Sequence, residues 1–197
     1  MEQYKITLRF TEPLLGTVPL NREVYSTYVA AKRPDHDEDA DEELSTIEED
    51  LEQGTTGFHK LDGAPFLYDY QIKGFFKDAC SMLRREKGSR SSKLTAHKKI
   101  IDGLVFVYPR RIPIELSGSI TYVERPLRAQ TAQGERIALA RSESAPEGSK
   151  ISFTVKIRGG MTGEDLREWL EYGADRGLGQ WRNSGAGRFE FTMEPLE

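Results

Sequence analysis

Residues 177–191 read GLGQWRNSGAGRFEF: four glycines, two arginines and a tryptophan, running into alternating phenylalanines. Glycine reaches positive φ and lets backbone approach groups that a Cβ would hold off. A loop this rich in it, just before the strand pattern Phe189, Phe191, Met193, is either a close-packed turn or a place where backbone meets a ligand. Upstream, Leu166, Trp169, Leu170, Gly173 and Ala174 fall at helical spacing. Thr162 and Asp165 form a variant capping box at the start of that helix, and Gly177 stands just past its end. The loop therefore joins a helix to a last strand.

Working outward, Ile151, Phe153, Val155 and Ile157 alternate as a strand, and residues 4–10 (YKITLRF) do the same before ending at Pro13-Leu14-Leu15-Gly16. Residues 71–85 (QIKGFFKDACSMLRR) are helical: Ile72, Phe75, Phe76, Ala79, Cys80 and Leu83 make one apolar stripe. Cys80 lies on that stripe and reads as a small core residue rather than a nucleophile. Lys73, Lys77 and Arg84 sit off it, within about 40° of one another at 100° per residue. Residues 101–107 read as an apolar strand, Ile112 to Leu116 as an edge strand and residues 119–123 as a short one. Residues 124–149 are a polar, thumb-like, β-rich excursion with a hairpin turn around Gln133-Gly134, and residues 17–63 are an insertion with little periodicity. The order strand, insertion, helix, strands, helix, glycine loop, strand predicts one α+β domain over 1–197. Its core is a ferredoxin-like βαββαβ unit that leaves one sheet face free, the face on which RNA-recognition modules of this plan bind single strands.

Composition narrows the function. The net charge of −4 hides an asymmetry, because residues 35–53 (DHDEDADEELSTIEEDLEQ) hold 11 acidic residues and no Lys or Arg. The other 178 residues hold 28 basic and 21 acidic side chains, so the body carries +7. The acidic segment is either a solvated linker or a mimic that competes with nucleic acid for the basic surface. Residues 73–99 carry nine cations, Lys73, Lys77, Arg84, Arg85, Lys87, Arg90, Lys93, Lys98 and Lys99, against two acids. One cysteine and three histidines (His36, His59, His97) do not make a disulfide framework or a Cys/His zinc site. No metal or cofactor is expected. No signal-peptide run or membrane span is present, which predicts a soluble protein in the reducing cytoplasm.

Four segments, in order, resemble the RAMP superfamily of CRISPR backbone subunits and processing nucleases, and the type III backbone subunits in particular. They are LRFTEPLLG (8–16), APFLYDYQIKGFFKDA (64–79), RSESAPEGSKISFTVKI (141–157) and the glycine loop. The likeness flanks nearly the whole chain but does not cover residues 17–60. It implies that Lys73 and Lys77, at and after the Lys-Gly helix start, touch RNA. Around the glycine loop, Arg176, Arg182 and Arg188 suit phosphate, Trp181 suits a base or the core, and Gly185 and Gly187 suit close backbone approach.

Type III backbone subunits cut target RNA with an aspartate in the loop after the first strand, and no aspartate aligns there in this chain. His97, among lysines, is a weak candidate for the general acid or base that processing nucleases use. There is no Walker loop, no paired helical carboxylates and no Gly-x-Ser-x-Gly elbow. The sequence is therefore read as a binder of single-stranded RNA, or less readily DNA, that self-associates or assembles with related subunits. Two alternatives stay open: an interaction protein that mimics an effector subunit, and a metal-independent endoribonuclease.

Overall fold

The computed structural model describes residues 1–20, 54–131 and 134–196; the acidic run at 35–53 lies outside them. The described elements begin with β1 (Glu2–Phe10), β2 (Leu14–Leu15), β3 (Val18–Pro19), β4 (Thr55–Gly57), β5 (His59–Leu61), β6 (Ala64–Tyr68) and α1 (Asp69–Leu83). Next come α2 (His97–Leu104), β7 (Val105–Tyr108), β8 (Arg111–Glu115), β9 (Thr121–Thr131) and β10 (Gly134–Ala145). The chain closes with β11 (Lys150–Ile157), α3 (Gly163–Arg176) and β12 (Phe189–Leu196). Among the described residues it is a mixed α+β protein with two sheets. The larger runs β12-β1-β11-β8-β6-β5, with β7 also paired to β11; the smaller runs β2-β10-β4-β3, with β9 paired to β10.

Period-two alternation builds the centre of the large sheet. In β1, Ile6, Leu8 and Phe10 are buried while Lys5 and Arg9 are exposed, and β11 buries Ile151, Phe153, Val155 and Ile157. The antiparallel register places Ile6 opposite Phe153 and Met193, so one face is apolar across all three strands. Helices α1 and α3 cover that face. The α1 stripe of Ile72, Phe75, Phe76, Ala79, Cys80 and Leu83 is buried throughout, as its spacing predicts. Cys80 is in the core, where burial pushes its thiol pKa up. In α3 the Thr162 N–H donates to Asp165 Oδ2 at 2.8 Å, and the helix ends at Gly177 with φ +88°. The helices meet where Gly173 faces Phe75: a Cβ there would fall 2.0 Å from the ring.

The structure departs from the sequence reading in two places. Residues 97–104 form α2, so only the end of the expected strand at 101–107 is extended, as the start of β7. Ile101 is buried with Ile100 and Leu104 packed nearby, which is helical rather than alternating spacing. Residues 54–61, counted with the insertion, form β4 and β5. The excursion is one long hairpin, with Thr131 opposite Gly134 and Thr121 opposite Ser144. No helix among the described residues is long and apolar enough to cross a membrane.

Candidate nucleic-acid interface

The glycine loop is packed against the chain's own backbone. Gly187 has φ +71°, and a Cβ on it would sit 1.9 Å from the Leu178 carbonyl oxygen. Its N–H donates to Pro13 O at 2.9 Å, while the Leu178 N–H donates to Gly187 O at 2.9 Å. A Cβ on Gly177 (φ +88°) would sit 2.3 Å from Ala186 O, and one on Gly179 (φ +86°) would sit 2.7 Å from Leu15 O. Three of the four glycines are thus required by close contact within the loop or with the turn after β1. Gly185 differs: its φ is +88°, but the nearest atom to an added Cβ is the Arg188 guanidinium carbon at 3.8 Å.

This packing brings distant segments to one groove of about 490 Å³. Leu15 and Thr17 come from the turn after β1; Gln71, Gly74, Phe75 and Asp78 come from α1; Leu178, Gly179 and Arg182 come from the glycine loop. Gly74 has nothing within 4 Å of where a Cβ would be, so it leaves the α1 wall open. The segment at 141–148 braces the groove from behind. Gly16 N–H donates to Glu143 O at 2.9 Å, Ser142 Oγ donates to Gly16 O at 2.9 Å, and Thr56 Oγ1 links Gln180 Oε1 at 2.8 Å with Ser142 Oγ at 3.1 Å. The Glu143 carboxylate, 2% exposed, accepts the Phe58 N–H at 3.0 Å and pairs with Lys60.

The expected binding residues do not form one surface. Arg182 alone of the expected cations lines the groove, paired with Asp78 at 2.6 Å. Nearby, Arg176 donates to Asn183 Oδ1 at 2.6 Å and Arg188 to Asp175 O at 3.0 Å. Trp181 is half-buried with φ +53°, and the Arg125 guanidinium stands 5.4 Å from its ring. Lys73 and Lys77 point elsewhere, roughly 130° around α1 from the groove-lining residues. Both reach Asp102 on α2: Lys73 Nζ donates to its carbonyl at 3.2 Å and Lys77 Nζ to its carboxylate at 2.8 Å. Arg90 bridges to α3, with Asp165 at 2.7 Å and Thr162 at 3.0 Å. Arg84, Arg85, Lys87, Lys93, Lys98 and Lys99 are exposed between α1 and α2 and on α2.

His97 is buried at 8% exposure, with both ring nitrogens engaged. Arg84 Nη1 lies 3.1 Å from Nδ1 and Ser81 Oγ lies 2.8 Å from Nε2. A guanidinium only donates, so Nδ1 accepts and the proton sits on Nε2, which donates to Ser81. Burial, then the Arg84 and Lys98 charges, hold its pKa below the ordinary histidine value. Both contacts hold the imidazole in its neutral form. No group of three or more His, Cys, Asp or Glu suited to a metal ion occurs among the described residues.

Sequence reading missed an aromatic cluster on the other side of the large sheet. His59, Phe66, Tyr68 and Tyr70 contact one another, flanked by Arg110 and Arg111. The only signal for it was the aromatic-rich run at 66–70, since the other members come from separate strands.

No protein-family model and no curated protein matches this chain. Among solved structures it is similar to a chain of the type III-B Cmr-beta complex bound to cognate target RNA, with a TM-score of 0.58 and 12% identity. That match covers 100% of this chain and 61% of the other, so this chain spans about three-fifths of the length of its structural neighbour. A chain of a type IV-B CRISPR complex matches with a TM-score of 0.44 and 10% identity, over 98% of this chain and 90% of that one. The first likeness is one of fold: this chain shares the fold of the part of the Cmr-beta complex chain that it matches.

Proposed function

We propose that this chain is a single RAMP-like domain with a ferredoxin-like core that binds single-stranded nucleic acid, RNA in preference to DNA. It works within a CRISPR-type assembly, stacked head to tail with its own copies or related subunits. Strand order β12-β1-β11-β7, with α1 following β1 and α3 following β11, supports the ferredoxin-like reading. The observation that carries the proposal is the meeting of three separate segments of the RAMP resemblance at one groove, with the fourth bracing it. A strand there would meet an open helix wall at Gly74 and a guanidinium at Arg182. The similar Cmr-beta chain comes from a complex bound to target RNA, which favours RNA as the ligand.

The ion pairs do not block this role. Asp102 is 55% exposed and Asp78 39%, and pairs this exposed stabilise by only about 0–1 kcal/mol. A phosphate can therefore replace either carboxylate. Fluorescence anisotropy with labelled single-stranded RNA and DNA, titrated at several salt concentrations, tests the proposal. RNA should bind with log K falling linearly in log salt, by about 0.7 per phosphate contacted. Arg182→Glu should weaken binding and reduce that slope by about one contact, and Lys73→Glu with Lys77→Glu reports on the α2 side. Absence of binding at micromolar protein overturns the proposal.

The same ion pairs favour a second reading, an interaction protein that docks as a subunit mimic. Lys73, Lys77, Arg90 and Arg182 already hold carboxylate or carbonyl partners within the chain. That protein would show no affinity for nucleic acid alone and would co-purify with an effector complex. The nuclease reading rested on His97, whose two ring nitrogens are occupied.

A further inference from the structure

The outward face of the large sheet divides into two kinds of surface. Over β1 and β11 it carries Lys5, Thr7, Arg9, Lys150, Ser152, Thr154 and Lys156, an ordinary polar face. Over β5, β6 and β8 it is aromatic. Antiparallel partners share a face, and the register sets His59 opposite Phe66, Phe66 opposite Pro113, and Tyr68 opposite Arg111. The alternate residues, Leu67, Ile112 and Ile114, go into the core. The rings on the outer side therefore have no part in closing the helix layer.

They are nonetheless ordered against one another. His59 stacks on Phe66 with centroids 5.6 Å apart and planes 24° from parallel. Tyr68 meets both edge-on, at 4.7 Å and 5.0 Å. Tyr70, at the start of α1, stacks on Tyr68 at 5.1 Å and 18°, and is itself 51% exposed. The Arg110 and Arg111 guanidinium carbons stand 5.7 Å from the centroids of Tyr68 and Phe66. Arg110 is 74% exposed, and its pair with Asp69 is long at 3.5 Å. Flat rings held at stacking separation, with cations at their margin, match the bases and phosphates of one polymer class.

We propose that the outward face of β5, β6 and β8 is a stacking platform for the bases of a single-stranded nucleic acid, with Arg110 taking a phosphate. Tyr68 and the half-exposed Tyr70 present their rings to the bases, and Arg111 holds Phe66 in place. The groove is lined by Leu67 and Phe75 from the apolar side of the sheet, so platform and groove lie on opposite sides. This inference extends the proposed binding role and rests on it only in requiring nucleic acid as the ligand. A strand long enough to use both would pass around the β5 edge.

The test uses the full chain and oligonucleotides carrying 2-aminopurine, whose fluorescence is quenched on stacking, with anisotropy of an end label read in parallel. RNA and DNA versions are both titrated, because every base has a stacking face. Wild type should quench; Tyr68→Ala with Tyr70→Ala should remove the quench and weaken binding about ten-fold or more. Tyr68→Phe with Tyr70→Phe keeps the rings and should retain both signals. Tyr70→Ala alone, at an exposed position, separates loss of stacking from any loss of folding. Arg182→Glu should weaken anisotropy binding while leaving the quench at saturation. Anisotropy binding without quenching, or equal quenching in the alanine variants, overturns the platform and leaves the groove standing. No binding by either signal overturns both, and gives this face to a protein partner.

Discussion

Gly187→Ala asks what the glycine loop is for. The new Cβ would lie 1.9 Å from Leu178 O, 2.9 Å from Leu178 C and 3.0 Å from Leu178 N, all backbone atoms that no rotamer change can move. The left-handed φ of +71° adds about 1–2 kcal/mol for any residue with a Cβ. Relieving the clash means moving the loop off the turn after β1, which breaks the Gly187 N–H to Pro13 O bond and the Leu178 N–H to Gly187 O bond. Each is worth a net of about 0.5–1.5 kcal/mol. The sum is about 2–5 kcal/mol, or a melting temperature lower by about 10 °C for a chain of this size. Gly185→Ala is the control, because its nearest contact is a flexible guanidinium at 3.8 Å. It should lose only about 1–2 kcal/mol, the left-handed cost alone. Thermal and urea unfolding of both variants decide the matter. Equal losses would refute the packing argument. A Gly187→Ala protein with unchanged stability and abolished RNA binding would show that the glycine makes room for a ligand instead.

Two further predictions concern buried polar groups. His97 is held neutral, so its folded pKa lies below the unfolded one and its contribution to stability is complete above about pH 6.5. That contribution is lost as pH falls, because the unfolded chain takes up a proton that the native site refuses. Unfolding measured from pH 7.5 to 5 should show a loss of stability that His97→Gln reduces; an identical pH profile would contradict the assignment. His59 is shifted in the same direction by burial and remains in both proteins as a common background. At the Glu143–Lys60 pair, Lys60→Ala strands a carboxylate at 2% exposure and should cost about 3–5 kcal/mol. Glu143→Ala leaves a solvent-reachable ammonium and one unpaired N–H, about 1–3 kcal/mol. Denaturant midpoints that reverse this order would count against the account of how β10 braces the groove.

Local pattern made much of the fold legible. The α1 stripe and the β1 and β11 alternation each repeat over several turns or residue pairs, and the Thr162–Asp165 cap lies within one turn. What was lost is non-local. Helix α2 spans eight residues with Gly103 inside it, too short for its spacing to outweigh the strand-like Val105 and Val107 that follow. Lys73 and Lys77 read as a free basic edge because Asp102, their partner, lies 25 or more residues away on another helix. The glycines announced a close approach, but what they approach is set by tertiary folding: Gly179 meets Leu15, far back in the chain. The aromatic platform was illegible for the same reason, since it gathers side chains from three strands and a helix start.

Photocrosslinking places the ligand most directly. RNA carrying 4-thiouridine would be bound to the full chain, irradiated, and the crosslinked peptides mapped by mass spectrometry. The account predicts crosslinks within residues 15–17, 71–78 and 178–188, reduced by Arg182→Glu. Binding with crosslinks confined to the exposed lysines at 87–99, and none in those three segments, would contradict it.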